Sequence, residues 1–149
     1  LSCHYAPMKE DLSKLPPRPR PEPPREHDGY WEGLREHKLR AQKCSSCGSL
    51  RLYPRPMCGK CYSMEFEWVD LKGTGKIHSW ATSHHPFHAG FKNITPYLTV
   101  TVDLHEGLRL QAPMYNHSSD EIFIGMDVSV AFENVDEELT LPHFKPTKT

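Results

Sequence analysis

The strongest constraint on how this chain can fold is the stretch "CSSCGSLRLYPRPMCGKC", which carries four of its five cysteines. It reads Cys44-x-x-Cys47, ten residues, then Cys58-x-x-Cys61. Each Cys-x-x-Cys turn can aim two thiolates at one ion, and two such turns complete a tetrahedral site with sulfurs about 2.3 Å from zinc. Gly48 follows Cys47 and Gly59 lies inside the second turn, where tight backbone is expected close to the sulfurs. Two disulfides would suit a secreted chain, but the sequence as given opens with no charged-then-apolar leader. A thiol redox pair uses a single Cys-x-x-Cys at a helix start, whereas these turns flank "SLRLYPRPM", which reads as strand and turn. Four thiolates bind iron as well as zinc, so both ions stay open, with zinc preferred. The expected role is structural, because four cysteines leave no open position for water or substrate. Cys3 sits in the N-terminal tail and is expected to be a free thiol.

The basic residues Lys38, Arg40, Lys43, Arg51, Arg55 and Lys60 lie around this block, with no Asp or Glu from 38 to 61. A zinc tetrathiolate carries a charge of about −2, so part of this positive charge offsets the centre. Arg40, Lys43, Arg51 and Arg55 are candidates to meet phosphate or the acidic face of a protein. Over the whole chain the net charge is −1, which argues against general attraction to nucleic acid or anionic membrane. No apolar run reaches the roughly 20 residues that span a bilayer, and a cytoplasmic location is expected. The chain begins at Leu1, so a fragment of a longer polypeptide is expected.

Residues 1–26 form a proline-rich linker or arm: seven of the fourteen prolines lie before residue 26, and "KLPPRPRPEPPRE" offers almost no apolar side chain to bury. Such a segment favours extended polyproline II. Residues 27–63 read as a helix plus the cysteine ribbon. In "HDGYWEGLRE" the side chains of Tyr30, Trp31 and Leu34 share one face at helical spacing, a face expected to dock on its own domain or on a partner. From residue 64 to 149 the period becomes two. "PYLTVTVDL" alternates cleanly, and "GLRLQAPMYN", "DVSVAFENV" and "ELTLPHF" do so more weakly. "EFEWVDL" and "GKIHSWATS" flank Gly73 and Gly75 as a hairpin or bulged bend. About six short strands with little helix suggest a small closed or partly closed barrel followed by a C-terminal tail. No internal repeat or heptad is apparent.

The order of these features resembles the DUF35 family, acyl-CoA-associated proteins in which a helix and a rubredoxin-like zinc ribbon precede an OB-fold barrel. The resemblance covers roughly residues 27–146 and is carried by "LRAQKCSSCGSLRLYPRPMCGKCYS", "SW" at Ser79–Trp80, "PYLTVTVDLHEGLRL", and "IGMDVSVAF" followed by "LPHFKP". It implies a mainly β fold, a structural zinc on Cys44, Cys47, Cys58 and Cys61, and work beside thiolase-like acyl-CoA enzymes in a hetero-oligomer. It also suggests a domain cut from fusion with a MaoC-like hydratase, one that binds a thiolase-like aldolase in steroid or lipid side-chain degradation.

The residues themselves offer little catalytic equipment. "SHHPFHAGF" gathers His84, His85 and His88, which can in principle bind a second metal, act as acid and base, or contact a ligand or partner. No Asp or Glu lies between Asp70 and Asp103 to orient them. Trp80, Phe87, Phe91 and Tyr97 border this loop and are candidates, with Trp31, to line an acyl channel or a subunit interface; barrel core is the plain alternative for Trp80 and Tyr97. No nucleophile elbow, phosphate loop or dinucleotide fingerprint is present. The expected function is a non-catalytic accessory domain that completes an acyl-CoA aldolase complex. Single-stranded nucleic-acid binding and service to a thiolase-type acyltransferase are the alternatives.

Overall fold

The computed structural model describes residues 11–147, apart from the side chain of Leu12. The expectation for Cys3 and the start of the proline-rich segment lie outside these residues. The fold is mostly β: a short helix α1 (Asp28–Arg35), a three-stranded sheet carrying the cysteine turns, and a closed five-stranded barrel.

Helix α1 begins with Asp28 and ends with Arg35, charges that complement the helix dipole. Tyr30 and Leu34, one turn apart, are buried, while Trp31 is partly buried against the same core. Gly29 and Gly33 let neighbours approach: a Cβ at Gly29 would fall 2.3 Å from the Trp68 indole, and one at Gly33 2.8 Å from the Arg40 side chain. The helix stops at His37, which takes φ 58°. There the N–H of Lys38 reaches Gly33 O and that of His37 reaches Leu34 O, the pairing of a Schellman end. Glycine usually fills this position. Here the imidazole stacks on Phe132 at 5.2 Å and Nε2 meets Asn134 Oδ1 at 2.9 Å, which fastens the helix end to the barrel.

Strand β1 (Leu39–Cys44) lies between β2 (Leu50–Arg51) and β3 (Phe66–Leu71), both antiparallel to it. Of the two arrangements expected across Gly73, hairpin or bend, the structure has the bend. β3 pairs with β1 from Leu39↔Leu71 to Cys44↔Phe66, while β4 (Thr74–Ser83) turns away into the barrel. Gly73, at φ 71°, makes that bend, and its bare Cα leaves room for Val130.

The barrel runs β4-β5-β6-β8-β7, with β5 (Tyr97–Leu104), β6 (Arg109–Met114), β7 (Asp127–Asn134) and β8 (Thr140–Pro146). Its core comes from alternation. Leu98, Val100, Val102 and Leu104 point inward, and the first three face Met114, Ala112 and Leu110 across the β5–β6 ladder. Closure comes from the antiparallel β4–β7 pairing and a short parallel contact at Met114↔Phe144. Tyr30, Leu34 and Leu39 join these barrel side chains in one hydrophobic cluster. Helix, ribbon and barrel are therefore packed as one body. Tyr53 adds a polar fastening, its hydroxyl accepting the Gln111 N–H at 3.1 Å.

The proline-rich segment lies along the barrel rather than away from it. Arg18 pairs with Glu133 at 3.0 Å, and Arg20 pairs with Asp136. Among the described residues no helix is long and apolar enough to cross a membrane.

Candidate metal centre

The four cysteine sulfurs converge. Cys44 and Cys61 lie 3.5 Å apart, Cys47 and Cys58 3.6 Å apart, and all four sulfurs fall within 4.8 Å of one another. A tetrahedron with zinc–sulfur bonds of about 2.3 Å requires sulfur–sulfur edges of about 3.8 Å, so the donor set fits the ion. Cys44 and Cys58, the first of each turn, are buried; Cys47 and Cys61 are exposed.

Two similar loops build this arrangement. Cys44 N–H reaches Ser49 O, and Gly48 N–H returns to Cys44 O; fourteen residues later Cys58 N–H reaches Ser63 O, and Tyr62 N–H returns to Cys58 O. The sequence expectation for Gly59 is corrected: it has no positive φ and open space where a Cβ would be, and Tyr62 takes the left-handed position. The signal was in the sequence. "CSSCGS" and "CGKCYS" superimpose as a six-residue repeat that a search for longer periods passes over.

Four thiols so close compete for ionisation. Cys58 is drawn down to about 6, because the backbone N–H groups of Cys61 and Lys60 stabilise its thiolate. For Cys61 the Ser63 N–H favours the thiolate, but the neighbouring Cys44 sulfur, desolvation and the other two sulfurs outweigh it and push the thiol up to about 11. A divalent cation removes this conflict by binding all four as thiolates. With no open coordination position, zinc here supplies folding energy and rigidity rather than a reactive water.

The basic side chains divide into two groups. Arg40 bridges Glu36 at 2.6 Å and Asp70 at 3.0 Å, and Lys43 lies 3.6 Å from Glu67. These two are engaged at home. Arg51 and Arg55 line a concavity of about 280 Å³ with Lys60 and Cys58. Arg51 stacks over Phe66, 5.4 Å from the ring centre, and donates from Nε to Gln42 Oε1 at 2.6 Å. Sequence reasoning missed Gln42, a fully buried amide whose Oε1 also accepts the Arg55 N–H at 2.9 Å.

The histidine loop does not form a second metal site. Among the described residues the ligand cluster found is that of the four cysteines, while His84, His85 and His88 are exposed. His88 Nδ1 accepts the Gly90 N–H at 3.0 Å and so shapes its own turn. His85 sits edge-on to Phe87, which is 94% exposed. Phe91 and Tyr97 turn the other way and line an apolar cavity under the proline-rich segment. Trp80 packs partly buried against the barrel core, as does Trp31 from the helix.

Comparison with known proteins agrees with this architecture. Residues 31–67 match the family model "ChsH2, rubredoxin-like zinc ribbon domain", and residues 68–133 match "ChsH2, C-terminal OB-fold domain". A "Probable enoyl-CoA hydratase alpha subunit" of Thermomonospora curvata is 36% identical over 95% of this chain, which spans 45% of that relative's length. A "DUF35 domain-containing scaffold protein" of Methanothermobacter thermautotrophicus is 32% identical over 72% of this chain and 82% of its own. A solved structure described as an "Ltp2-ChsH2(DUF35) aldolase" superimposes with a TM-score of 0.76 at 37% identity, covering 85% of this chain and 98% of that one. With its four-cysteine ribbon joined to a closed five-stranded barrel, the chain belongs to the DUF35 family, in its ChsH2-type zinc-ribbon and OB-fold form.

Proposed function

We propose that this chain is a non-catalytic domain that docks on a thiolase-like acyl-CoA enzyme and completes its active complex. The partner would be an aldolase that breaks a carbon–carbon bond of a β-hydroxyacyl-CoA side chain of a steroid or lipid. The observation that carries this reading is the likeness to the Ltp2-ChsH2(DUF35) aldolase over 98% of that chain. In a retro-aldol step a base takes the β-hydroxyl proton, the Cα–Cβ bond breaks, and the electron pair passes to the acyl-CoA enolate. The base belongs to the partner in this reading, since His84, His85 and His88 are exposed and, among the described residues, have no carboxylate to orient them.

What this chain would supply is position. Phe87 and the adjoining His84 and His85 present an exposed aromatic tip suited to an interface. Arg55, exposed at the concavity beside the zinc ribbon, is the candidate left for CoA phosphates or an acidic partner surface, because Arg40 and Lys43 already have carboxylates and the Arg51 guanidinium lies over Phe66 with both terminal nitrogens buried. A MaoC-like hydratase domain working beside this one belongs to the same reading, in keeping with the 36% identity to part of a relative named as an enoyl-CoA hydratase alpha subunit. No observation favours nucleic-acid binding.

Co-purification of the zinc-loaded chain with a thiolase-like aldolase encoded beside it, followed by a retro-aldol assay with and without the chain, tests the proposal. A stable complex whose turnover requires both is the expected result. Full aldolase activity without this chain, or no complex with any such enzyme, would sink it.

A further inference from the structure

The proline-rich segment is one wall of a cavity of about 520 Å³, whose other walls come from the 91–97 loop and strands β5, β6 and β8. That volume lies within the roughly 300–1,000 Å³ typical of small-molecule sites. Pro17 and Pro19 close one side, and Phe91, Ile94, Tyr97 and Leu141 form much of the rest.

The charges in this wall are already spent. Arg18 is paired with Glu133, Arg20 with Asp136, and the Tyr115 hydroxyl donates to Glu133 at 3.2 Å. An anion entering here would lose its hydration, and among the described residues of the lining both cations, Arg18 and Arg20, are already paired. An uncharged apolar group loses little and gains by leaving water. The wall is also held in place. A Cβ at Gly90 would lie 2.7 Å from Pro17 O and 2.9 Å from both Arg18 N and Pro16 O, so the segment is seated on a bare glycine backbone. Prolines fix the segment's φ angles and reduce the entropy lost in keeping it extended.

We propose that this cavity binds one uncharged apolar small molecule, or the apolar end of a larger one, and that residues 16–21 form the wall that closes over it. The proposal does not depend on the partner enzyme. Its test uses this chain alone, so either reading can fail without the other.

The zinc-loaded full chain is titrated with the uncharged probe Nile red, with 1-decanol and a fused four-ring ketone as competitors. Saturable one-to-one binding with blue-shifted emission is expected, and displacement by the alcohol or by the ketone tells a linear from a fused-ring preference. Ile94→Asp places a charge in the lining and should weaken binding about tenfold or more. Gly90→Ala should displace the wall and weaken binding at least threefold, while Phe123→Ser, an exposed apolar position outside the lining, should change nothing. Should Ile94→Asp fail to fold by circular dichroism, Pro19→Asp on the exposed segment makes the same test. Non-saturable binding, no displacement by either competitor, wild-type affinity in the folded charge variant, or loss of binding in Phe123→Ser would each overturn the proposal.

Discussion

Gly48 and Tyr62 hold the same place in the two cysteine turns. Their φ angles are 72° and 62°, and each donates its N–H to the carbonyl of the first cysteine of its turn, at 2.9 and 3.0 Å. Left-handed backbone costs a residue with a Cβ about 1–2 kcal/mol. Gly48→Ala is therefore expected to destabilise the zinc-loaded protein by about 1 kcal/mol. Tyr62→Gly should be close to neutral, because relief of strain offsets the greater freedom of an unfolded glycine. Urea denaturation of both variants checks this, and wild-type stability in Gly48→Ala would contradict it.

Gln42 is fully buried, and its Oε1 accepts from both Arg51 Nε and the Arg55 N–H. Gln42→Leu keeps the approximate volume but leaves two donors without an acceptor, each costing about 1–3 kcal/mol. A loss of about 2–4 kcal/mol is expected on that basis. Among the described residues Gln42 Nε2 has no partner, so Gln42→Glu forfeits no bond and should lie nearer the wild type. Thermal denaturation orders the three proteins; a leucine variant as stable as the wild type would dismiss the amide as a stabilising contact.

The metal centre and the barrel were legible because both are written in local pattern. Two Cys-x-x-Cys turns need only short-range geometry, and Leu98, Val100, Val102 and Leu104 show their inward face by alternation alone. Pairings distant in sequence were not legible. Strand Leu39–Cys44 buries Gln42 beside Ala41 and so shows no clean alternation, and nothing local says that Phe66–Leu71 pairs with it rather than with the next strand. The proline-rich segment advertises stiffness through composition. Its seat depends on Arg18 and Arg20 meeting acids 115 and 116 residues away, and on Gly90, which reads as an ordinary loop glycine until the segment is seen above it.

The Arg20–Asp136 pair gives that seat a pH dependence. Arg20's guanidinium, followed by the N–H groups of Glu138 and Leu139, holds the Asp136 carboxyl down at about 2. A depressed carboxylate stabilises the folded arrangement above its ordinary value of about 3.9, and that contribution is lost as pH falls through the folded value. The pair should therefore release between about pH 4 and pH 2. It is exposed, so salt should weaken it at neutral pH too. Carboxyl NMR titration of the wild type and Arg20→Gln is the check. The variant's Asp136 should titrate higher, though still below an ordinary aspartate because the two N–H groups remain; an unchanged titration would mean that Arg20 does not hold it.

Removing the metal should loosen the ribbon before the barrel. Cys44 ends the strand that pairs with Phe66–Leu71, and Cys58 begins a loop whose hydrogen bonds are few and close to the centre. The barrel has its own ladders and most of the shared core. Chelation, or Cys44→Ser, is expected to abolish binding of one zinc per chain and to expose the amides of residues 44–64 to exchange, while Val100, Val102 and Leu110 stay protected. The Tyr30–Leu34–Leu39 side of the core should weaken next, since Leu39 lies on the strand that ends at Cys44. Hydrogen exchange with metal analysis on the same samples decides it. Equal loss of protection in ribbon and barrel would mean that zinc holds the whole domain, and unchanged protection at 44–64 would mean that the thiols need no ion to keep their geometry.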